Sequence, residues 1–565
     1  MSKSFVSFRF QLRFLRTYNI ERNFNKTRLV HSRENVKHYG GTRVVHSRSY
    51  FGLGLLGMLS SFIVYDAVVN EFIYSGATIR FLRSLKTASL IAADYILLEQ
   101  HENDADYDLQ LKHVHLKSAK RLLETCLLNG GLYIKMGQGV AAINHILPKE
   151  YTSTLEQLQD KCLPTSKTDV QRVFSEDFGT IPENVYAEFD YTPVAAASLA
   201  QVFKAKLKTG EVAAVKVQYG DLQKRFTSDL GTIMFLQDVI EVFFKNYNFG
   251  WILRDLRKNL VQELNFVNEG QNAERCAKDL EKFNYVHIPH IYWEFTKPRV
   301  LTMEWINGFK VSDVESIQRE NLDLKDVDSK LFNMFAEQIF HTGFVHADPH
   351  PGNVYVRKNQ KSGQAELVLL DHGLYEFVPK SVRLPLCEFW EATVLRDEQK
   401  MQSSAQKMGI QDHMKFAEVL FQQPIRIHGG RVKTKLSESD IEYIRLVAKK
   451  NFELIMGTLK EMPRNMLFVV RNLNTVRAIS RQHGDVVDRP RTMARYAQYC
   501  IYAKCNSLHS YIFWFYRRII FEYNLWASSF RVSCLNLYLN ILYKLNRAPG
   551  SVHTLLSDIA IKDFN

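Results

Sequence analysis

The stretch that most restricts this chain of 565 residues is His346-Ala-Asp-Pro-His-Pro-Gly-Asn353, followed by Leu369-Leu-Asp-His-Gly373. Asp348 and Asn353 stand five apart, and Asp371 follows eighteen residues after Asn353. Between them NVYVR and AELVLL, joined by KNQKSGQ, read as a hairpin. An amide at one end and a carboxylate at the other supply two hard oxygen ligands for magnesium, whose other ligands are phosphates and water. Asn353 and Asp371 fit that metal role. Asp348, on the preceding turn, is placed to accept a hydroxyl proton or to orient water. Gly373 frees the backbone just after Asp371. Each piece alone is weak. Asp-His-Gly is a common turn, the prolines around His350 suit a rigid loop, and His346 and His350 read better as backbone-organising groups than as metal ligands. The joint spacing is what points to phosphoryl transfer, where a protein mainly positions groups and neutralises charge.

Such chemistry needs a cation for the phosphates. Lys216 in Val-Ala-Ala-Val-Lys-Val lies on an apolar strand after the turn Thr209-Gly210, where an unpaired ammonium would be costly. Glu263 and Glu269 lie on the helical stretch that follows. Six residues apart, they point about 120° from each other around a helix and cannot both face one lysine. Two carboxylate faces predict two cationic partners, the second being Lys135 in Gly-Leu-Tyr-Ile-Lys-Met-Gly-Gln138. By composition alone that segment is an ordinary helix. The phosphate-covering loop is Pro193-Val-Ala-Ala-Ala-Ser-Leu-Ala-Gln-Val202, where a glycine-rich loop would be usual. Alanine resists positive φ, so the loop should be stiff. Its N–H groups could still cradle phosphate, and the same alanines would also suit a helix start. The nucleotide-contacting candidates are therefore Val194, Ala195, Ala196, Ala197, Ser198, Val202, Lys216 and, on the hinge-like strand VLTMEWI, Glu304. Asp348, Lys216 and Glu269 are the catalytic candidates.

Pattern along the chain gives the architecture. Residues 80–160 read mainly helical. AQVFKAKLK and EVAAVKVQ predict a hairpin, and one long helical pattern runs through Asp229–Ala277. VLTMEWI reads as a strand, 325–345 as a helix, and about 380–545 as helical. This is an α+β chain in the order of a bilobal kinase-like fold, although other α+β folds share that order. The expected divisions are a helical extension (80–185), a smaller lobe (186–306), a larger lobe (307–500) and a helical, aromatic-rich tail (501–565).

Taken together, these residues resemble the UbiB (aarF-domain-containing) family of atypical kinases, nearest its animal mitochondrial branch. The resemblance covers about 80–480. Its KxGQ signature reads Lys135-Met136-Gly137-Gln138 and its alanine-rich loop Ala195-Ala196-Ala197-Ser198. Its strand lysine, helix glutamate, catalytic loop and metal motif match Lys216, Glu269, Asp348 with Asn353, and Asp371. The resemblance implies that the KxGQ element packs over the nucleotide cleft, in the space a peptide substrate would take. It also implies that Lys135 meets an ExD motif, here Glu263-Leu264-Asn265, whose last acid has become an amide that cannot form an ion pair. Lys135, Gln138, Glu263 and Asn265 thus form a regulatory group by resemblance. The family implies ATP and Mg2+ as cofactors, little phosphorylation of proteins in trans, and a role in mitochondrial lipid or coenzyme Q homeostasis and cristae organisation. Its partners would be membrane lipids, a lipid-like substrate and membrane-organising proteins. A nucleotide-regulated scaffold without turnover and a conventional protein kinase are the alternatives; the KxGQ element argues against the latter.

Charge places the chain in the cell. Residues 1–50 hold eleven Lys/Arg against Glu21 and Glu34, which is +9 of the chain's +13. The body is not basic enough to indicate nucleic acid. Arg9, Arg13 and Arg16 opposite Phe8, Leu12 and Leu15 make residues 1–48 a mitochondrial targeting leader. Ser49–Tyr65 carries no charge, so 49–70 is the candidate single span, about 25 Å of helix for the first seventeen residues against a core of about 30 Å. A buried core helix is the other reading. Import arrested there places the body in the intermembrane space, on the inner membrane. The seven cysteines include no CxxC pair, so reduced thiols are expected rather than a disulfide framework. Residues 511–545 are dense in aromatics interrupted by Arg517, Arg518, Glu522 and Arg531. A helix packed on the body is expected there, with an interfacial membrane helix as the other reading.

Overall fold

A computed structural model describes residues 73–544, apart from 101–105, 143–147, 160–165, 197–198, 244–261, 423–456, 458–460 and 503–507. The leader at 1–48 and the uncharged run at 49–70 lie outside the described residues. The helical extension comprises α1 (Ile73–Glu99), α2 (Tyr107–Asn129), α3 (Gly131–Ala142), α4 (Lys149–Leu155) and α5 (Lys167–Phe178). Ser166 caps α5 by accepting from the Asp169 N–H at 3.2 Å, and Gly179 ends it in the left-handed region at φ +71°.

The next segment builds a small antiparallel sheet from β1 (Glu188–Phe189), β2 (Ala195–Ala196), β3 (Ala200–Lys206) and β4 (Val212–Gln218). After it come α6 (Leu222–Phe243), α7 (Phe266–Asp279), β5 (Val286–His287) and β6 (Val300–Glu304), the last of which pairs with β4. The β3–β4 hairpin forms as its sequence predicts. Both faces of β4 are covered, which is why VAAVKV shows no polar alternation. Val215 and Val217 pack with Phe203 against Phe174 of α5 and against Tyr186. On the other face Ala214 packs with Leu301, Met303 and Phe266 of α7. Lys216 shares that second face, because side chains two apart on a strand point the same way. The helical pattern through 229–277 is not one helix. A new helix, α7, starts at Asn265, whose backbone is extended (φ −119°, ψ 102°) and whose side chain accepts from the Val267 N–H at 3.1 Å.

The larger lobe carries β7 (Phe309–Lys310), α8 (Leu324–Ala336), β8 (Phe344–His346), β9 (Val354–Lys358), β10 (Ala365–Leu369) and β11 (Tyr375–Phe377). β9 and β10 are the second predicted hairpin and sit within a sheet of order β5-β10-β9-β7. Where one helix was expected over 325–345, α8 gives way to a π-helical turn at Glu337–Thr342. Gly343 follows at φ +75°, and a Cβ there would lie 2.0 Å from Arg383 Nη1 and 2.6 Å from the Val378 carbonyl. Only glycine meets both conditions. Below are α9 (Lys380–Leu395), α10 (Glu398–Lys407), α11 (His413–Phe421), α12 (Arg464–Gln482) and α13 (Arg489–Tyr502). They enclose a core around Phe340, Phe389, Trp390, Phe416 and Phe421, all fully buried. Trp390 also donates its indole N–H to the Pro490 carbonyl at 3.0 Å.

The tail is one helix, α14 (Leu508–Lys544). It packs on α9 and α13 through Phe521 and Leu525, while most of its remaining described apolar side chains are exposed. Packing on the body therefore accounts for one side of the helix only. Among the described residues no helix is long and apolar enough to cross a membrane.

Candidate functional site

Strand β4 and helix α7 meet at Lys216. Its ammonium lies 2.7 and 3.0 Å from the two oxygens of Glu269 and 3.2 Å from Asp371 Oδ2. The ring of Phe266 lies beneath it, with its centroid at 5.2 Å. Two carboxylates thus share one ammonium, Glu269 from the buried side and the half-buried Asp371 from the open side. Burial disfavours the charge on Lys216, but Asp371 and Glu269 outweigh it and raise the pKa above the usual lysine range. Burial pushes Glu269 up to about 7, against the attraction of Lys216. Asp371 is half-buried, which alone would raise its pKa. Lys216, the Gly373 N–H at 2.9 Å and Lys135 outweigh that and hold it well below the usual carboxylate range.

The loop after β8 is arranged by its histidines. His346 Nδ1 accepts from the Asp348 N–H at 3.1 Å, so Nε2 carries the proton and donates to the Asp371 carbonyl at 2.8 Å. Burial lowers its pKa, consistent with this neutral form. His350 Nδ1 accepts from the Gly352 N–H at 3.1 Å. Both histidines thus organise backbone. The Asn353 amide donates to the Asp348 carbonyl at 3.2 Å, which turns its side-chain oxygen the other way. Its own carbonyl accepts from the Leu370 N–H at 2.9 Å. Asn353 and Asp371 are therefore held side by side at the open end of the β9–β10 hairpin.

Lys135 enters this cleft from α3. It pairs with Glu263 Oε2 at 2.9 Å. Burial opposes its charge, but Glu263, Asp348 and Asp371 together raise its pKa. The two glutamates therefore take two different lysines, although Glu263 stands before the break at Asn265 and so not on one helix with Glu269. Gly137 lets α3 approach, since a Cβ there would fall 2.3 Å from Leu158 Cδ1.

Several sequence-predicted residues stand elsewhere or do something else. Gln138 donates to the Leu158 carbonyl at 3.0 Å and so ties α3 to the turn after α4. The Asn265 side-chain oxygen caps α7, so Lys135 rests on Glu263 without it. Glu304 accepts from His287 at 2.8 Å and from the His290 N–H at 3.2 Å, which turns its carboxylate onto those groups and away from a nucleotide role. In the alanine loop, Ala195 and Ala196 form a short strand paired with Val202 and Gln201, not a helix start. Val194 is exposed at its edge, and Val202 stands opposite Lys216 across β3–β4. Ala197 and Ser198 lie outside the described residues.

Sequence reasoning missed Arg471. From α12 its guanidinium reaches Asp348 Oδ2 at 3.0 Å. Burial would raise the Asp348 pKa, but Arg471 and Lys135 keep it below the usual range. The next residue, Asn472, is fully buried and donates to the His346 carbonyl at 2.7 Å. Only the adjacent basic and amide residues in an otherwise apolar helix face hinted at this.

A lysine shared by a helix glutamate and a post-hairpin aspartate, beside an aspartate–asparagine loop, is a phosphoryl-transfer arrangement. Comparison with known proteins agrees. The ABC1 atypical kinase-like domain matches residues 157–405. The chain is 37% identical to "AarF domain-containing protein kinase 1" of Xenopus laevis over 72% of its length and 79% of that protein's. The chain belongs to the ABC1/AarF atypical kinase family. It is also 38% identical to "Probable serine/threonine-protein kinase abkD" of Dictyostelium discoideum, over 74% of this chain and 61% of that longer protein. Among solved structures, Rv3197 of Mycobacterium tuberculosis matches over 66% of this chain and 97% of its own, with 19% identity and a TM-score of 0.40. Within an ABC1 kinase the α+β, two-lobed order and the helices on either side of it fall into place.

Magnesium fits the residues present. Asn353 and Asp371 supply an amide oxygen and a carboxylate, the usual protein share for a magnesium ion bound with phosphates. Among the described residues no cluster of three or more His, Cys, Asp or Glu forms a metal cage.

Proposed function

We propose that this ABC1-family chain binds Mg-ATP in the cleft around Lys216 and transfers or releases its terminal phosphoryl group, with little action on peptides. The observation that carries the reading is the three-way contact of Lys216, Glu269 and Asp371 beside Asp348. Lys216 is held by two carboxylates and is positioned for phosphate oxygens. Asn353 and Asp371 would hold the magnesium, which would offset charge on the phosphates. Asp348 has one oxygen on Arg471, and its other oxygen is the candidate proton acceptor. Lys135, close enough to act electrostatically on both Asp348 and Asp371, stands where an acceptor hydroxyl would approach. That position supports water or a small, mobile group as acceptor over a docked peptide.

The acidic-poor, Arg-rich leader and the uncharged run after it support a mitochondrial, inner-membrane setting with the body in the intermembrane space. In that setting the activity would serve lipid or coenzyme Q homeostasis and cristae organisation, with membrane lipids or a lipid-like molecule and membrane-organising proteins as partners. The test is magnesium-dependent nucleotide turnover by the full chain. Turnover should be lost in Asp371→Ala and Lys216→Ala while ATP protects the wild-type chain from unfolding. Equal turnover in all three would overturn the enzymatic reading. The scaffold alternative predicts instead that Asp371→Ala restores function fully in cells lacking the protein.

A further inference from the structure

We propose that the outer face of α14 is a membrane-contact surface that lies flat on a bilayer carrying anionic headgroups. This deepens the membrane-located reading above and rests on it. The helix has 37 residues, about 55 Å at 1.5 Å per residue. Phe521 and Leu525 are buried against the body. On the opposite side Ile512, Tyr516, Ile519, Tyr523, Trp526 and Phe530 are each 54–62% exposed. Their separations alternate four and three residues, so they form one continuous stripe along the helix.

The composition of this stripe selects its occupant. Tyr and Trp alternate with aliphatic side chains, and both have an apolar body and a polar tip, the mixture favoured at the headgroup level. Charge points the same way. The helix carries Arg517, Arg518, Arg531 and Lys544 against a single acid, Glu522. Glu522 is turned onto Arg495 of α13 at 2.8 Å and onto Arg518 at 3.1 Å. The helix is thus net basic, and its one acid is already held by two arginines, one of them on the body. A net-basic helix with an aromatic and aliphatic outer face has the make-up of a helix lying in the interface plane. The stripe is not part of a crossing segment, since no described helix is apolar enough to span. A second copy of the chain is the competing occupant. It would have to bury the tyrosine hydroxyls against an identical face that offers no acidic acceptor.

Cys534 provides a local probe. It is exposed and lies eight residues after Trp526 and eleven after Tyr523, hence on the same side of the helix. The full chain carrying Cys162→Ser and Cys505→Ser would be labelled at Cys534 with an environment-sensitive fluorophore. It would then be titrated with vesicles of phosphatidylcholine and phosphatidylglycerol, or of phosphatidylcholine alone. The expected result is a blue shift, shielding from aqueous iodide and quenching by spin-labelled lipid. The lipid concentration at half-effect should be at least tenfold higher for neutral vesicles, and at least tenfold higher for Trp526→Glu/Phe530→Glu on anionic ones. Vesicle binding with the label still open to iodide would overturn the proposal, because the attachment would then lie elsewhere. Concentration-dependent shielding without vesicles would also overturn it, in favour of a second copy. Circular dichroism and ATP protection of the double-glutamate variant check that it remains folded. The phosphoryl-transfer reading stands or falls separately, since Asp371→Ala leaves this fluorescence response unchanged.

Discussion

Replacing Lys216 by methionine removes one ammonium and leaves two carboxylates facing each other. Lys216 is held by Glu269 at 2.7 Å and Asp371 at 3.2 Å, with its side chain 11% exposed and that of Glu269 4% exposed. Removing one partner of a buried pair costs about 3–5 kcal/mol. Here the cost should depend on pH. Glu269 already sits at about 7 in the folded protein, above its unfolded value. In the wild type its contribution is therefore present at low pH and is lost as pH rises through about 7. Without Lys216 the folded value moves higher still. The variant then keeps losing stability above neutrality, where the wild type has stopped. Each pH unit in that window is worth about 1.4 kcal/mol. From about pH 7 to about pH 8.5 the gap between the two proteins should widen by about 2 kcal/mol.

Urea unfolding of both full-length chains across this range measures the gap, with mid-points compared at matched slope. A second variant separates the causes. Lys216→Met/Glu269→Gln removes the titrating group, so its deficit should be nearly flat with pH and smaller at high pH than that of Lys216→Met alone. A pH-independent deficit in the single variant would refute the argument that Glu269 is left charged and buried. So would a double variant less stable than the single at about pH 8.5.

Arg471→Gln removes the cation on Asp348, so its pKa rises and the acidic limb of the turnover–pH profile should move to higher pH, with an unshifted limb counting against Asp348 as a participating group. Lys135→Ala takes a positive charge from beside Asp348 and Asp371, and half-saturation by magnesium at fixed ATP should fall by about threefold to tenfold, which is about 0.7–1.4 kcal/mol; an unchanged titration would mean that Lys135 does not act on the metal site. Gly343→Ala combines positive φ with contact on Arg383 and should lose about 2–4 kcal/mol, read as a lowered thermal midpoint, whereas a wild-type midpoint would show that the loop can give way.

What the sequence revealed was whatever depended on neighbours along the chain. The β3–β4 and β9–β10 hairpins were legible because turn residues and apolar runs specify them locally. The division of Glu263 and Glu269 between two lysines was expected on the premise of one shared helix, but Glu263 precedes the extended residue Asn265, so the break in the chain and not helical spacing separates them. The break before α7 was hidden because 229–277 keeps a helical pattern, and Asn265 serves as a cap only once the backbone turns extended there. The π-helical turn was hidden too, since Glu337–Thr342 differs from an α-helix by one residue of hydrogen-bond register. Arg471 could not be found by any local rule. It lies 123 residues after Asp348 in the chain, and only the packing of α12 under the His346 loop brings it to that carboxylate. Glu304 was placed at the cleft by its hinge-like strand, and the contacts of its side chain with His287 and the His290 N–H could not be read from that position.

The charges of the cleft explain why Lys135 belongs to the chemistry as well as to the fold. Lys135, Lys216 and Arg471 face Glu263, Glu269, Asp348 and Asp371, so three positive groups meet four negative ones. Removing Lys135 would leave Glu263 buried and unpaired and would add its repulsion to that between Asp348 and Asp371. A second divalent ion would then find an attractive site between them. With Lys135 present, that position is already neutralised by a side chain that cannot dissociate. On the proposed reading the cleft would accept one magnesium with its nucleotide while resisting further cations, and an acceptor approaching Asp348 would pass a fixed ammonium. An ammonium there attracts small anionic or polar acceptors and obstructs an extended peptide. On the proposed reading the same side chain would restrain both the metal count and the class of acceptor, and its removal would also cost stability by leaving the buried Glu263 without its partner.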